Sequence, residues 1–409
     1  MFVRTPHLTA ALAVFALLGV LLFGGVIYAD SVETAYVHAL AASPFSHKHQ
    51  GLALQRVALR QSDLLPVYGS SELLVPDAFR ADKIFRLYPT GFNIFTVAGN
   101  GDEPLTQAQN IAALGDALRA KRVVISLSPQ FFLEARMPDN AYRGNFSPLH
   151  AYAFALSHLP SALKQRIAQR MLKYPATLTD PVLYALLQLL AENQPLSPLG
   201  YALLYPVSRL NLAILELQDQ WGALNLIHNH PEIHPTLERR AQDLNWTMLE
   251  EHAAVLARQR ASNNPFGIDD TEWDAGWRDL MRKSRDEMTD AEFRRSLERS
   301  HTWGDLELLL ETLTANDTQA LIVTMPWHGG FWNYRGVSAA VRQSYYERLG
   351  ALAAKYNLPL VTFQEFENDK YFLRDPGSHL SSEGWVRYSQ VLDAFFHGRL
   401  TLPTHASTQ

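Results

Sequence analysis

Two groups of residues in this 409-residue sequence combine types and positions suited to covalent chemistry. The first is YGSSEL at 68–73, where an apolar run leaves through Gly69 into Ser70, Ser71 and a helix-like stretch. A hydroxyl at such a strand end is open to ligand, and the unpaired N–H groups of the following helix start can hold an oxyanion. Either serine could instead simply cap that helix. The second group is YFLRDPGSHLSSEGW at 371–385, which puts Asp375 and His379 just past the last predicted strand. In an open α/β sheet they fall at the same carboxyl edge as the serines. A histidine within reach of a serine acts as general base, and the aspartate fixes its tautomer and stabilises the imidazolium.

Other chemistries fare less well. The chain has no cysteine, which excludes disulfides, thiolate metal sites and a cysteine nucleophile. The run HNHPEIH at 228–234 holds metal-ligand residue types, but its spacing fits no zinc pattern and Pro231 breaks any helix through it, so no metal is expected. Gly99-Asn100-Gly101 lacks the third glycine of a dinucleotide fingerprint. A net charge of −5 gives no reason to expect nucleic acid as a partner. His47 and His49 are expected in solvent, and the aromatics of 327–332 in the core, with walls of an acyl pocket as the alternative.

The serine and the histidine lie about 300 positions apart, so a tertiary frame must bring them together. Short β-like runs at Leu64–Tyr68, Phe92–Val97 and Arg122–Leu127, with a predicted helix over Thr106–Ala120, read as βα units of a parallel sheet. The same pattern returns at the end. Strands are predicted over Ala320–Met325 and Leu358–Phe363, separated by a helix with the stripe Val341, Tyr345, Leu349, Leu352 and Tyr356. The fold class is therefore α/β, a parallel sheet split into halves at about 62–135 and 318–400 by a helical insertion at about 146–317. Within the insertion, helices are predicted over Pro181–Glu192 and Thr236–Ala261, and NNPFG at 263–267 is a turn. The last helix should start at Ser381-Ser382 and stop at Gly398.

The N-terminus adds a membrane segment. Leu8–Ala29 is an uncharged run of 22 residues, and about 20 apolar residues cross the ~30 Å of hydrocarbon. Arg4 precedes the run and Asp30 and Glu33 follow it, so everything after Asp30 is expected outside the cytoplasm. The run exceeds the ~7–15 apolar residues of a signal peptide, and Ile27-Tyr28-Ala29 supplies only a small last residue for cleavage. Residues 1–29 are thus read as an uncleaved single-pass anchor and 30–409 as the extracytoplasmic domain.

The strand-end serine with a late Asp-His pair resembles the SGNH (GDSL-type) hydrolase fold. The resemblance narrows to the DltD family, the D-alanyl-lipoteichoic acid biosynthesis proteins, on seven blocks in order. They are YGSSEL at 68–73, FNIFTVAGNGDEPLTQAQNIAAL at 92–114, KRVVISLSPQFF at 121–132, NNPFGI at 263–268, WGDLELLLETL at 303–313, WHGGFWNYRG at 327–336 and HLSSEGW at 379–385. The similarity spans nearly the whole chain, anchor and insertion included. It implies a membrane-anchored, extracytoplasmic serine O-acyltransferase that esterifies an envelope glycopolymer with D-alanine through an acyl-serine. Its implied partners are a membrane-bound O-acyltransferase and a D-alanyl carrier-protein system, with no cofactor. An esterase or thioesterase of the same fold, or a non-catalytic polymer-binding assembly subunit, are the alternatives. By analogy with Gly-Asp-Ser in the wider fold, Ser71 is the nucleophile and Ser70 the fallback. The Ser71 N–H is one oxyanion donor, Gly99 and Gly101 are candidates for a second, and Gln130 takes the place of the asparagine usual in the superfamily. Three residues separate Asp375 from His379 where the related pattern has two, so Asp369 is a rival for orienting the histidine. HLSSEGW has serines where Gram-positive members tend to have a glycine and a bulky residue, which leaves open an acceptor other than lipoteichoic acid.

Overall fold

The computed structural model of the protein describes residues 6–192, 197–234 and 241–401. At its centre is a five-stranded parallel sheet in the order β2-β1-β3-β4-β5. The strands are β1 Leu64–Gly69, β2 Asn93–Ala98, β3 Arg122–Leu127, β4 Gln319–Thr324 and β5 Leu360–Val361. This is a doubly wound order, and its switch point lies between β1 and β3. Alternate side chains of a strand point to opposite faces. Val123 and Ile125 of β3 accordingly join one core and Val124 the other. Both faces are covered, which is why these strands read as continuous apolar runs rather than as alternations.

Helices frame the sheet in chain order. The first, α1 (Pro6–Leu40), is long and apolar enough to cross a membrane, and it runs past Ala29 so that Val37 and Leu40 are buried in the domain core. α2 (Ala53–Arg60) leads into β1 and α3 (Pro104–Leu114) follows β2. The predicted helix over 106–120 is cut short because Gly115 turns the backbone to a φ of 49°, and a 3₁₀ turn completes the segment. Between β3 and β4 lie α4 (Pro148–Ala155), α5 (Pro181–Glu192), α6 (Ser197–Asn229), α7 (Trp246–Arg260) and α8 (Thr302–Ala315).

The helix predicted over Thr236–Ala261 does not run through 241–245, which are not helical. Residues 235–240 lie outside the described segments, and the helix begins where the Asn245 side chain accepts the Met248 N–H at 3.1 Å. After β4 come α9 (Ala339–Lys355), β5 and α10 (Ser382–Phe396). β5 pairs only through Leu360 and Val361, because Phe363 takes a left-handed φ of 50° and ends the extended run. Ser381 caps α10 through the N–H groups of Glu383 and Gly384, and Gly398 turns left-handed after it.

Candidate active site

β1 ends at Gly69, and the chain turns through Ser70 into the 3₁₀ turn Ser71–Leu73. Glu72, fully buried, folds back over this turn. Its carboxylate accepts the Ser70 N–H at 2.8 Å and the Ser128 hydroxyl, from the end of β3, at 2.8 Å. A Cβ at position 69 would collide with that carboxylate, which is the physical reason for glycine there. Ser70 is buried, donating its hydroxyl to the Gly99 carbonyl at 3.2 Å and accepting the Asp102 N–H at 3.1 Å. It knits the end of β1 to the loop after β2. Ser71 points the other way.

The hydroxyl of Ser71 lies 3.1 Å from Nε2 of His379, whose Nδ1 lies 2.7 Å from Asp375. With the carboxylate accepting at Nδ1, the ring proton sits on Nδ1 and Nε2 is left to accept from the serine. The other oxygen of Asp375 accepts the Gly377 N–H at 2.7 Å. The three-residue spacer between Asp375 and His379 is accommodated by a left-handed Ser378 at a φ of 69°. The rival Asp369 lies elsewhere, accepting the Tyr371 N–H at 3.0 Å and interacting with Glu383.

Burial works against a charged imidazolium, but the hydrogen bond to Asp375 and the charges of Asp375 and Glu72 outweigh it, so His379 titrates above its ordinary value. Burial pushes the Glu72 carboxyl up, against the bonds from Ser70 and Ser128. Next to Ser70, burial likewise pushes Asp102 up to about 8. A serine hydrogen-bonded to a base that a carboxylate orients is equipped for acyl transfer through the serine oxygen.

The remaining sequence candidates surround this row. Gly99 supplies its carbonyl to Ser70, and Gly101 takes a φ of 68° in the same loop. Gln130 donates to the Gly377 carbonyl at 2.9 Å and accepts from the Ser378 hydroxyl, so it braces the histidine loop. An amide carries two N–H donors and this bond uses one of them. His49, expected in solvent, instead packs against the Gly99 loop, where a Cβ on Gly99 would meet its ring. In HNHPEIH, His230 pairs with Glu232 at 2.7 Å and lies against Phe45. Trp327 and Trp332 are buried in the core.

Sequence reasoning missed three supports. Glu72 was legible as a carboxylate beside the serines, but nothing local says that it folds back. Arg374 donates to Glu272 at 2.9 Å, and its carbonyl accepts the Asp269 N–H at 2.8 Å, tying the histidine loop to the turn after NNPFG. His328 caps the short helix Gly329–Tyr334 by accepting the Phe331 N–H, and burial pushes its pKa down to about 4.

Comparison with known proteins agrees across the same span. The DltD protein family matches residues 41–397. Protein DltD of Bacillus subtilis (strain 168) is 26% identical over 86% of this chain and 87% of its own length. Protein DltD of Staphylococcus aureus is 23% identical over 85% of both chains, and that of Lacticaseibacillus rhamnosus 24% identical over 91% of this chain and 86% of its own.

Proposed function

The chain belongs to the DltD family, and from that premise we propose that it is a membrane-anchored serine O-acyltransferase that passes D-alanyl groups to a polymer of the cell envelope. The observation that carries this reading is the row of Ser71, His379 and Asp375, with spacings of 3.1 and 2.7 Å. Ser71 Oγ attacks the carbonyl carbon of a D-alanyl ester or thioester while His379 Nε2 takes its proton. The tetrahedral intermediate collapses, the bond to the donor's oxygen or sulfur breaks, and the imidazolium returns the proton to that leaving group. A polymer hydroxyl then attacks the D-alanyl ester on Ser71, giving its proton to Nε2, and Ser71 departs with that proton.

The developing oxyanion needs donors, each worth about 2.7–4 kcal/mol in such sites. Ser71 N–H opens a 3₁₀ turn, where N–H groups lack an acceptor within the helix. The Gly99–Gly101 loop and the second N–H of Gln130 are the other candidates. The donor is a D-alanyl group loaded by a carrier-protein system and delivered with a membrane-bound O-acyltransferase, and the acceptor is an envelope glycopolymer. Arg4 before the apolar run, with Asp30 and Glu33 after it, supports a catalytic domain outside the cytoplasm.

One observation favours hydrolysis as a second reading. The His379 side chain is 21% exposed, so water has access to the acyl-serine unless the acceptor excludes it. Peptide mass spectrometry on protein from cells with an active donor pathway separates the cases. An alanyl increment on the peptide carrying Ser71, discharged faster by polymer than by water, is the expected result. Faster discharge by water makes the protein an esterase. Absence of the adduct with acceptor withheld, alongside normal polymer acylation, makes it a supporting subunit.

A further inference from the structure

The side of α6 opposite its buried face carries a row of large apolar side chains. Leu203, Val207, Leu210, Ile214, Leu217 and Trp221 recur at alternating steps of four and three residues, which is one line along a helix. All are exposed, Leu203 by 72% and Trp221 by 74%, whereas Leu212, Ala223 and Leu226 on the other side are buried. The row is roughly 27 Å long at 1.5 Å per residue. A contiguous apolar strip of that size is unusual on a surface facing only water.

The row also has a position that says what covers it. Val26 and Asp30 of α1, at the end of the apolar run, share a cleft of about 460 Å³ with Ala213 and Leu217 of α6. On the side of α6 that faces the domain, beside buried Leu212 and Ala223, Asp219 accepts the N–H groups of Leu52 and Ala53 at 2.7 Å and Glu216 pairs with Arg56 at 2.9 Å. Glu33, Arg56 and Arg60 also line this cleft, so the end of the apolar run on α1 and Leu217 of the row come together beside a charged corner of the molecule.

We propose that α6 lies on the lipid surface of the membrane that α1 spans, with the Leu203–Trp221 row against the acyl chains. The proposal rests on reading α1 as a membrane anchor. Interfacial helices sink their apolar face about 5–10 Å into the boundary between headgroups and chains, and tryptophan favours that depth. Two contacts, one spanning and one lying, hold the domain at a set tilt. The domain is then held at a fixed angle to the membrane instead of swinging on a single helix.

The chain has no cysteine, so single-cysteine variants of the full-length protein take one fluorophore each. The positions are Leu203→Cys and Leu210→Cys on the row, Val20→Cys in the apolar run of α1 and Arg285→Cys, which is 76% exposed on the domain. In phosphatidylethanolamine and phosphatidylglycerol vesicles carrying brominated lipid, labels at 203 and 210 should be blue-shifted and quenched severalfold more than the label at 285. Quenching at 20 but not at 203 or 210 overturns the proposal and leaves the anchor standing. An unquenched label at 20 overturns the anchor reading and this proposal with it. Shielding of 203 and 210 in native membranes, but not in vesicles free of other proteins, overturns it in favour of a protein partner.

Discussion

The turn that carries Ser71 and the loop that carries Asp375 and His379 meet at one sheet edge, yet they are held differently. The serine turn is shaped within its own neighbourhood, where β1 aims it, Gly69 makes room and Glu72 folds back onto the Ser70 N–H, and the two neighbouring strand ends steady it through Gly99, Asp102 and Ser128. The histidine loop has little regular structure. It is pinned from far away in sequence, by Gln130 on Gly377 and Ser378, by Glu272 on Arg374, and by Asp269 on the Arg374 backbone. Inside the loop, a single antiparallel bridge between Leu373 and Leu380 and the bond from Arg374 N–H to the His379 carbonyl close the turn. The Ser71 turn thus takes its shape from a short segment at a strand end, while the His379 loop takes its shape from Gln130 and from the 269–272 segment.

Removing either Ser71 or His379 should cost most. Ser71→Ala and His379→Ala should each lower single-turnover acyl transfer on the order of 10⁴–10⁶-fold with circular dichroism unchanged, and the double variant should be little worse than either. Full activity in Ser71→Ala would move the nucleophile or end the mechanism. Asp375→Asn should cost on the order of 10³–10⁴-fold, because the imidazole loses both its tautomer and its counter-charge, while Asp369→Asn should leave the rate nearly intact.

The pH dependence carries the sign of the His379 shift. The base works unprotonated, so activity should fall as pH drops through a pKa above the usual ~6.5, and Asp375→Asn should move that limb to lower pH. A limb at or below ~6.5 in the unmodified protein would contradict the electrostatic account.

Substitutions far from the site separate the two anchorings. Glu272→Ala should lower the rate roughly 10–10²-fold through misplacement of the base. Hydrogen exchange should then quicken over 374–381 and stay unchanged over 69–73, and equal changes in both segments would refute the separate anchoring. The smallest effect on rate is expected from Ser70→Ala, a few-fold at most, with a stability loss of about 0.5–1.5 kcal/mol in urea, because the Ser70 bonds to the loop after β2 are lost while the Asp102 N–H keeps the Gly99 carbonyl as acceptor.

The residues alone were enough for the parallel βα pattern, the apolar N-terminal run, the caps at Ser381 and Gly398, the serines at a strand end, and Asp375 and His379 after the last strand. These are local matters of periodicity and turn chemistry, readable within a dozen residues. The sequence could not decide between Ser70 and Ser71 from residue types, because the difference lies in which hydroxyl the Gly99 loop buries and which one faces a loop about 300 residues away. It could not choose Asp375 over Asp369, since a left-handed Ser378 absorbs the extra residue. Nor did it find the start of α7, the shortness of β5, or the return of Glu72 onto the serine turn. Those depend on packing between segments distant in sequence, where side chains from other elements, rather than intrinsic propensity, set the backbone.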